Sequence, residues 1–143
     1  MSDIQSLSPL ITVDEIEPCL DFWTEVLGFT VIGTVPADLS LIGTDAADDA
    51  PLGFAMLQSG DVMVMLQTGT SMEADLPTLA GEAVASTAML FVKVDALEPF
   101  LPRLDGVEIV HERRTTFYGM DEIFVRGPCG TIVGLATPAP EEE

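Results

Sequence analysis

A short pattern occurs twice in this chain of 143 residues. Residues 13–20 read VDEIEPCL and residues 94–101 read VDALEPFL, so five of these eight positions are identical. A second echo relates VMLQT at residues 64–68 to VGLAT at residues 133–137. Because the two matches occur in the same order, the sequence predicts two copies of one folding unit.

Each copy begins with an apolar strand, which is followed by a helix and three more strands. In the first copy, apolar residues from Cys19 to Leu27 have helical spacing, Pro18 suits the first turn and Gly28 ends the helix. In the second copy the helical stripe runs from Leu97 to Leu104. The predicted strands are residues 10–13, 29–33, 53–58 and 62–68, then 88–94, 107–112, 122–126 and 131–137.

These patterns predict an α+β fold made of two tandem βαβββ modules, with one helix covering each sheet. An aspartate after each first strand, Asp14 or Asp95, is expected to cap the helix that follows. We expect one domain, residues 1–143, with module one at about 6–68, a linker at about 69–85, module two at about 86–138 and an acidic tail at 139–143.

The charge of the chain is strongly negative. Twenty-four acidic residues against five Lys and Arg give a formal net charge of −19. Such a surface repels phosphates, which excludes nucleic acid and anionic membranes as favoured partners. It attracts a cationic small molecule, although the acids can equally serve only solubility.

The sequence also indicates in which cellular compartment the protein is expected. No apolar run approaches the roughly 20 residues of a membrane span, and the N-terminus lacks the basic and apolar regions of a signal peptide. Two cysteines, Cys19 and Cys129, are too few for a disulfide framework. We therefore expect reduced thiols and a cytoplasmic location.

Two motifs carry a family resemblance. Residues 20–23 (LDFW) with 26–29 (VLGF), and residues 118–122 (YGMDE) with 125–130 (VRGPCG), are similar to motifs of the vicinal oxygen chelate superfamily. That superfamily includes glyoxalases, extradiol dioxygenases, fosfomycin-modifying enzymes and bleomycin resistance proteins. The resemblance covers about residues 6–138 and departs from the family at Gly127, where an aspartate is usual.

The resemblance implies paired modules that form a curved, incomplete β-barrel, usually in a homodimer. Enzymes of the group hold a divalent metal through side chains on four strands. Matched residue by residue, these positions fall at about Ser8, Met65, Met89 and Gly134, none of which is a good ligand for a hard cation. Gln67 and Thr87, two residues away, are weak candidates.

The single histidine does not restore a metal site. His111 lies in the predicted strand 107–112, outside the strands that the resemblance assigns to ligands. Chelation by His111 with Glu112 and a third group is the alternative to a surface histidine. With one histidine, no Ser–His–Asp or Cys–His set is present either. We therefore expect neither a metal nor another cofactor, and no catalytic residue is assigned.

Strand alternation predicts the lining of the cleft. The positions that share a face with the four implied metal-ligand positions are mostly apolar and rich in methionine, which adapts to varied ligand shapes. The segment 111–118 follows, with two arginines and an aromatic pair able to stack on a planar ligand. The candidate ligand-binding residues are Met63, Met65, Gln67, Met89, Phe91, Phe117, Tyr118, Glu122 and Gly134. The alternative is that these side chains simply fill a core.

The sequence is compatible with three functions. The lost ligands favour a metal-free binding protein, closest in character to the bleomycin-binding members, which holds a small cationic or aromatic ligand. The alternative is a metal-dependent lyase or dioxygenase with a non-standard metal site. The third is a scaffold with a filled cavity that serves protein association.

Overall fold

The computed structural model describes residues 6–79 and 89–140. The chain divides into two compact units, Met1–Ala85 and Ser86–Glu143, which we call unit 1 and unit 2. Each unit holds one four-stranded sheet. The prediction of an α+β fold that repeats a βαβββ order of elements is confirmed.

Unit 1 follows the predicted order of elements. Its main elements are β1 (Leu10–Val13), α1 (Glu17–Asp21), β2 (Thr30–Pro36), β3 (Leu52–Ser59), β4 (Val62–Thr68) and α2 (Gly69–Asp75). Helix α1 continues into a π-helical segment, Phe22–Val26, and 3-10 turns occupy Leu39–Leu41, Asp45–Asp48 and Pro77–Leu79. The sheet has the order β1-β4-β3-β2, with β1 parallel to β4 and the other pairs antiparallel.

The core of unit 1 lies on one face of this sheet. Alternate strand residues are buried because successive side chains point to opposite faces. The buried strand residues are Ile11, Val13, Ala55, Leu57, Val64 and Leu66, and the first helix adds Cys19, Phe22 and Trp23. Trp23 meets Phe29 edge to face, with 5.3 Å between ring centroids.

The first helix has the predicted ends but not the predicted cap. Pro18 stands in its first turn, and Gly28 follows its end with a φ of 82°, a conformation that favours glycine. Ile16 occupies the N-cap position and makes no side-chain cap hydrogen bond. The expectation that Asp14 caps this helix is therefore wrong.

Unit 2 has the same topology. Its strands are β5 (Leu90–Lys93), β6 (Glu108–Thr115), β7 (Met120–Arg126) and β8 (Ile132–Pro138), in the order β5-β8-β7-β6. Strand β5 runs parallel to β8, and the other pairs are antiparallel. The buried side chains of its core are Leu97, Leu104, Ile123, Val125, Val133 and Leu135.

Two elements of unit 2 differ from prediction. The expected helix from Leu97 to Leu104 is reduced to turns and a 3-10 segment, Leu101–Leu104. Pro102 explains the difference because it lacks the N–H that a continuing α-helix needs. Phe100 is the N-cap of this segment and no side chain caps it, so Asp95 has no capping role there. Strand β6 extends to Thr115, which places Arg113 and Arg114 on a strand.

Two expectations about compartment meet the structure here. None of the helices in the described part of the chain has the length and apolar character needed to cross a bilayer. Neither Cys19 nor Cys129 is a free thiol. The expectation of reduced cysteines is therefore wrong.

The packing of unit 1 predicts that two glycine-to-alanine changes differ in their effect on stability. A Cβ at Gly53 would lie 3.0 Å from the Cα of Ala37 and 3.2 Å from the side chain of Ser71, whereas one at Gly33 would meet nothing within 4 Å. Gly53→Ala should lower the free energy of unfolding by about 1–3 kcal/mol because backbone must move.

Gly33→Ala is the matched control, and it should leave that free energy within about 0.5 kcal/mol of the parent. Urea denaturation of both variants measures the difference. Equal stability of the two variants would contradict the tight approach of Ala37 to Gly53.

Candidate functional site

Each sheet has one face that its own core leaves partly open, which we call its half-exposed face. In unit 1, strand register brings together Leu10, Thr12, Phe54, Met56, Gln58, Met63, Met65 and Gln67 on that face. None of these side chains is charged. Met63 and Met65 are partly exposed, while Gln67 is buried and donates a hydrogen bond of 3.1 Å to Ser71 Oγ. Met63 and Met65, two of the candidate residues, therefore lie on an uncharged surface of unit 1.

The half-exposed face of unit 2 is organised in rows across the strands, because directly paired residues share a face. One row, which we call the aromatic row, consists of Phe91, Gly134, Phe124 and His111. The next row, the basic row, consists of Lys93, Ala136, Glu122 and Arg114. A third row adds Ile132, Arg126 and Glu108.

The aromatic row contains an unusually close approach. A Cβ built on Gly134 would lie 2.6 Å from Cε2 and 3.0 Å from Cδ2 of Phe124. The ring of Phe124 therefore covers Gly134 and fills the space where any side chain at that position would stand. Phe91, on the other side of Gly134, is 52% exposed. The sequence named Phe91 and Gly134 as candidates but missed Phe124.

Glu122 anchors the basic row. Its side chain is fully buried, and Oε1 accepts hydrogen bonds from Arg114 Nε at 3.1 Å and Nη2 at 2.9 Å. The hydroxyl of Tyr118 lies 2.9 Å from Oε1 and 3.1 Å from Oε2. The Arg114 guanidinium also lies 5.9 Å from the centroid of the Phe124 ring. Glu122 thus braces both the turn that carries Tyr118 and the arginine beside the aromatic row.

The aromatic pair predicted at the turn is exposed. Phe117 is 100% exposed and meets Tyr118 edge to face, with 5.1 Å between ring centroids. Because the hydroxyl of Tyr118 is held by Glu122, the Tyr118 ring has a fixed anchor. This turn therefore presents an aromatic surface at one end of β6 and β7.

Arg113, which precedes Arg114 on β6, binds carboxylates on the other face of the sheet. Arg113 donates three hydrogen bonds to Asp121, from Nε to Oδ1 at 3.0 Å and to Oδ2 at 3.2 Å and from Nη2 to Oδ2 at 2.6 Å. A further hydrogen bond runs from Nη2 to Glu98 at 3.0 Å. These hydrogen bonds hold the pKa of Asp121 below its usual value and raise the pKa of Arg113. Asp121 precedes Glu122, so the two carboxylates point to opposite faces.

The residues at the family's metal positions do not fit a divalent ion. Ser8 is half-buried before β1, Met89 is 59% exposed before β5, and the place of a side chain at Gly134 is taken by Phe124. Met65 offers only a soft thioether. His111 is exposed, with Nδ1 2.8 Å from the carbonyl oxygen of Glu112. Within residues 6–79 and 89–140 no group of three His, Cys, Asp or Glu residues is placed to hold a metal; Thr87 lies outside the described residues.

Unit 1 also contains an open cavity that the sequence did not predict. Its volume is about 1090 Å³, and its walls combine carboxylates with small apolar side chains. Its acidic lining residues are Asp14, Glu15, Glu17, Asp48 and Asp49. Glu17 is already engaged, because its Oε1 accepts a hydrogen bond of 2.7 Å from the backbone N–H of Leu52. Residues 14–17 and 48–49 are distant in sequence, so no local pattern could have revealed this cavity.

Comparisons with known proteins agree with this fold. The family model described as Glyoxalase/Bleomycin resistance protein/Dioxygenase superfamily matches residues 5–135. The chain belongs to this superfamily. A glyoxalase/bleomycin resistance protein/dioxygenase from Nocardioides is similar in structure, with 19% identity, a TM-score of 0.68 and coverage of 100% of this chain and 89% of that one.

Two further structures are similar in fold. TioX from Micromonospora sp. ML1 has 16% identity and a TM-score of 0.65, over 97% of this chain and 100% of that one. The fosfomycin resistance protein FosX from Mesorhizobium loti has 13% identity and a TM-score of 0.61, over 97% and 95%. At these identities the likeness establishes the fold of the superfamily alone. A search of curated proteins returned no match.

The ion pair on the core side of unit 2 predicts a pH-dependent stability. Because the pKa of Asp121 is lowered in the folded state, its contribution is fully present above the unfolded value of about 3.9 and is lost as the pH falls through the lower folded value. Asp121→Asn should therefore lower the free energy of unfolding by about 1 kcal/mol at neutral pH. This loss should shrink as the pH falls below that unfolded value.

The control is Glu108→Gln, which removes a carboxylate that is 62% exposed and paired with Arg126. It should have the smaller effect at neutral pH. Urea denaturation along a pH series measures both variants. A loss for Asp121→Asn that stays constant throughout the acid range would contradict the assigned role of the ion pair.

Proposed function

We propose that this protein binds a small planar aromatic molecule on the half-exposed face of unit 2, and that it does so without a metal. The observation that carries the proposal is the Phe124 ring lying across Gly134 beside the exposed Phe91. This arrangement of rings provides a flat apolar surface. It also leaves no side chain at position 134, where the family resemblance implies a metal ligand.

Stacking supplies the attraction in this proposal. Aromatic rings prefer offset or edge-to-face contacts, which add about 0.5–1.5 kcal/mol to the burial of apolar area. The exposed rings of Phe117 and Tyr118 extend the aromatic surface at the turn between β6 and β7. Met89, which is 59% exposed just before β5, would add an adaptable apolar contact, as methionine does at surfaces that accept varied ligands.

The side chains of this face favour binding of the ligand without chemical change. Glu122 is the buried carboxylate of this face, and hydrogen bonds from Arg114 and Tyr118 already engage it. A general base needs to reach the proton it removes, whereas the carboxylate of Glu122 is held by Arg114 and Tyr118. His111 points its Nδ1 at a backbone carbonyl oxygen.

Metal analysis separates this proposal from a metal-dependent lyase or dioxygenase. The residues at the ligand positions predict that protein purified without chelators carries well below one equivalent of any divalent transition metal. Elemental analysis of the untreated protein measures this content. One tightly held equivalent per chain would overturn the metal-free proposal, whereas surface-bound ions would be lost on dialysis in salt.

A neutral planar probe tests the binding surface itself. Isothermal titration with naphthamide should give a measurable affinity, and Phe91→Ala should weaken it by about two- to twelve-fold because one stacking partner is lost. Leu39→Ala is the matched control, since Leu39 is 62% exposed in a 3-10 turn outside both sheets. Absence of heat up to millimolar probe, or equal losses in the two variants, would contradict the proposal.

A further inference from the structure

We infer that the molecule bound on this face is an anion, a planar aromatic carboxylate whose carboxylate pairs with Lys93. This inference rests on the proposed function and adds the chemical class of the ligand. It departs from the expectation of a cationic ligand, which was drawn from the net charge of the whole chain.

The positive charges of the chain are concentrated on this face. Of five Lys and Arg residues in the sequence, three belong to the half-exposed face of unit 2, namely Lys93, Arg114 and Arg126. The single histidine, His111, is on the same face. The corresponding face of unit 1 has no charged side chain on the paired positions described above. A chain of net charge −19 thus carries a local excess of cationic groups on one sheet face.

Lys93 is the cation of this face that is available to a ligand. Arg114 is held by buried Glu122, and Arg126 lies 2.9 Å from Glu108. Among the described residues Lys93 makes no ion pair, and its side chain is exposed. An ammonium without a partner near an apolar surface is able to bind a carboxylate without first breaking an existing contact.

The spacing of the two rows suits an aromatic acid. Lys93 follows Phe91 by two residues on β5, so their Cα atoms are about 7 Å apart and both side chains share a face. Phe91 and Lys93 are both exposed, whereas Ala136, the partner of Lys93 on β8, is buried. A ring stacked on Phe91 and Phe124 would therefore direct a carboxylate substituent toward the lysine ammonium.

The carboxylates of this face do not cancel the attraction. Glu122 is buried and neutralised by Arg114, with Tyr118 as a further donor. Glu108 is engaged with Arg126 two rows away from Lys93. Asp95, beyond the end of β5, makes no ion pair with Lys93.

Whether the local charge or the overall charge governs the binding of an anion depends on the distance over which charges interact. At physiological salt the Debye length is about 8 Å, so exposed acids farther away are largely screened. A contact between Lys93 and a carboxylate acts well inside that length. The overall negative charge should slow association of an anion, while the contact at Lys93 sets the affinity.

Three probes with the same ring and different charge test the inference. Isothermal titration at about 0.15 M salt with naphthoate, naphthamide and naphthylmethylammonium should give affinities in that descending order. Lys93→Gln should weaken naphthoate by about two- to five-fold, the range expected for an exposed ion pair, and leave naphthamide unchanged. Lys93→Arg should retain naphthoate binding because it keeps the charge.

Arg103→Gln is the matched control, because Arg103 stacks on Phe100 in the turn before the 3-10 segment and should not affect any probe. If the ammonium probe binds as tightly as naphthoate, or if Lys93→Gln weakens naphthoate and naphthamide equally, the inference is wrong while the proposed function stands. If no probe binds, the proposed function itself fails. If Phe91→Asp converts a dimer to a monomer in sedimentation, a second copy covers this face and the inference is overturned.

Discussion

The pairing of β7 with β8 is the constraint on which the site of unit 2 depends. The register that places Phe124 opposite Gly134 also places Glu122 opposite Ala136. A shift of one residue would exchange the two faces of a strand, and it would turn Ile123 and Val125 out of the core. The same hydrophobic alternation that fixes the core therefore fixes the aromatic row and the basic row.

The two units use one topology to build different surfaces. Both sheets have the order first, fourth, third and second strand, and both bury one face. The open face in unit 1 carries uncharged methionines and glutamines, whereas the one in unit 2 carries aromatic rings and cations. Strand alternation specifies which positions are open, and the side chains at those positions are not constrained by the core. Function in this fold is consequently decided by a small set of strand residues.

Local patterns were sufficient for most of the fold and for part of the site. The repeat, Pro18 and Gly28 predicted elements that the structure contains, but Pro102 shortened a helix that apolar spacing alone had extended. Phe124 was missed because its importance comes from a contact with Gly134, on another strand. The predicted strand ended at Glu112 and omitted Arg113 and Arg114, because charged residues obscured a strand that pairing with β7 defines.

The close approach of Phe124 to Gly134 limits what position 134 can hold. A side chain at position 134 and the ring of Phe124 cannot occupy the same volume, since even a single Cβ would approach the ring to 2.6 Å. Introducing a carboxylate at Gly134 alone would therefore leave it without room unless Phe124 moved. Phe124 is in turn flanked by Arg114, which Glu122 holds in place through two hydrogen bonds. The position of Phe124 is thus supported by neighbours of its own and depends on a connected set of contacts, not on one residue.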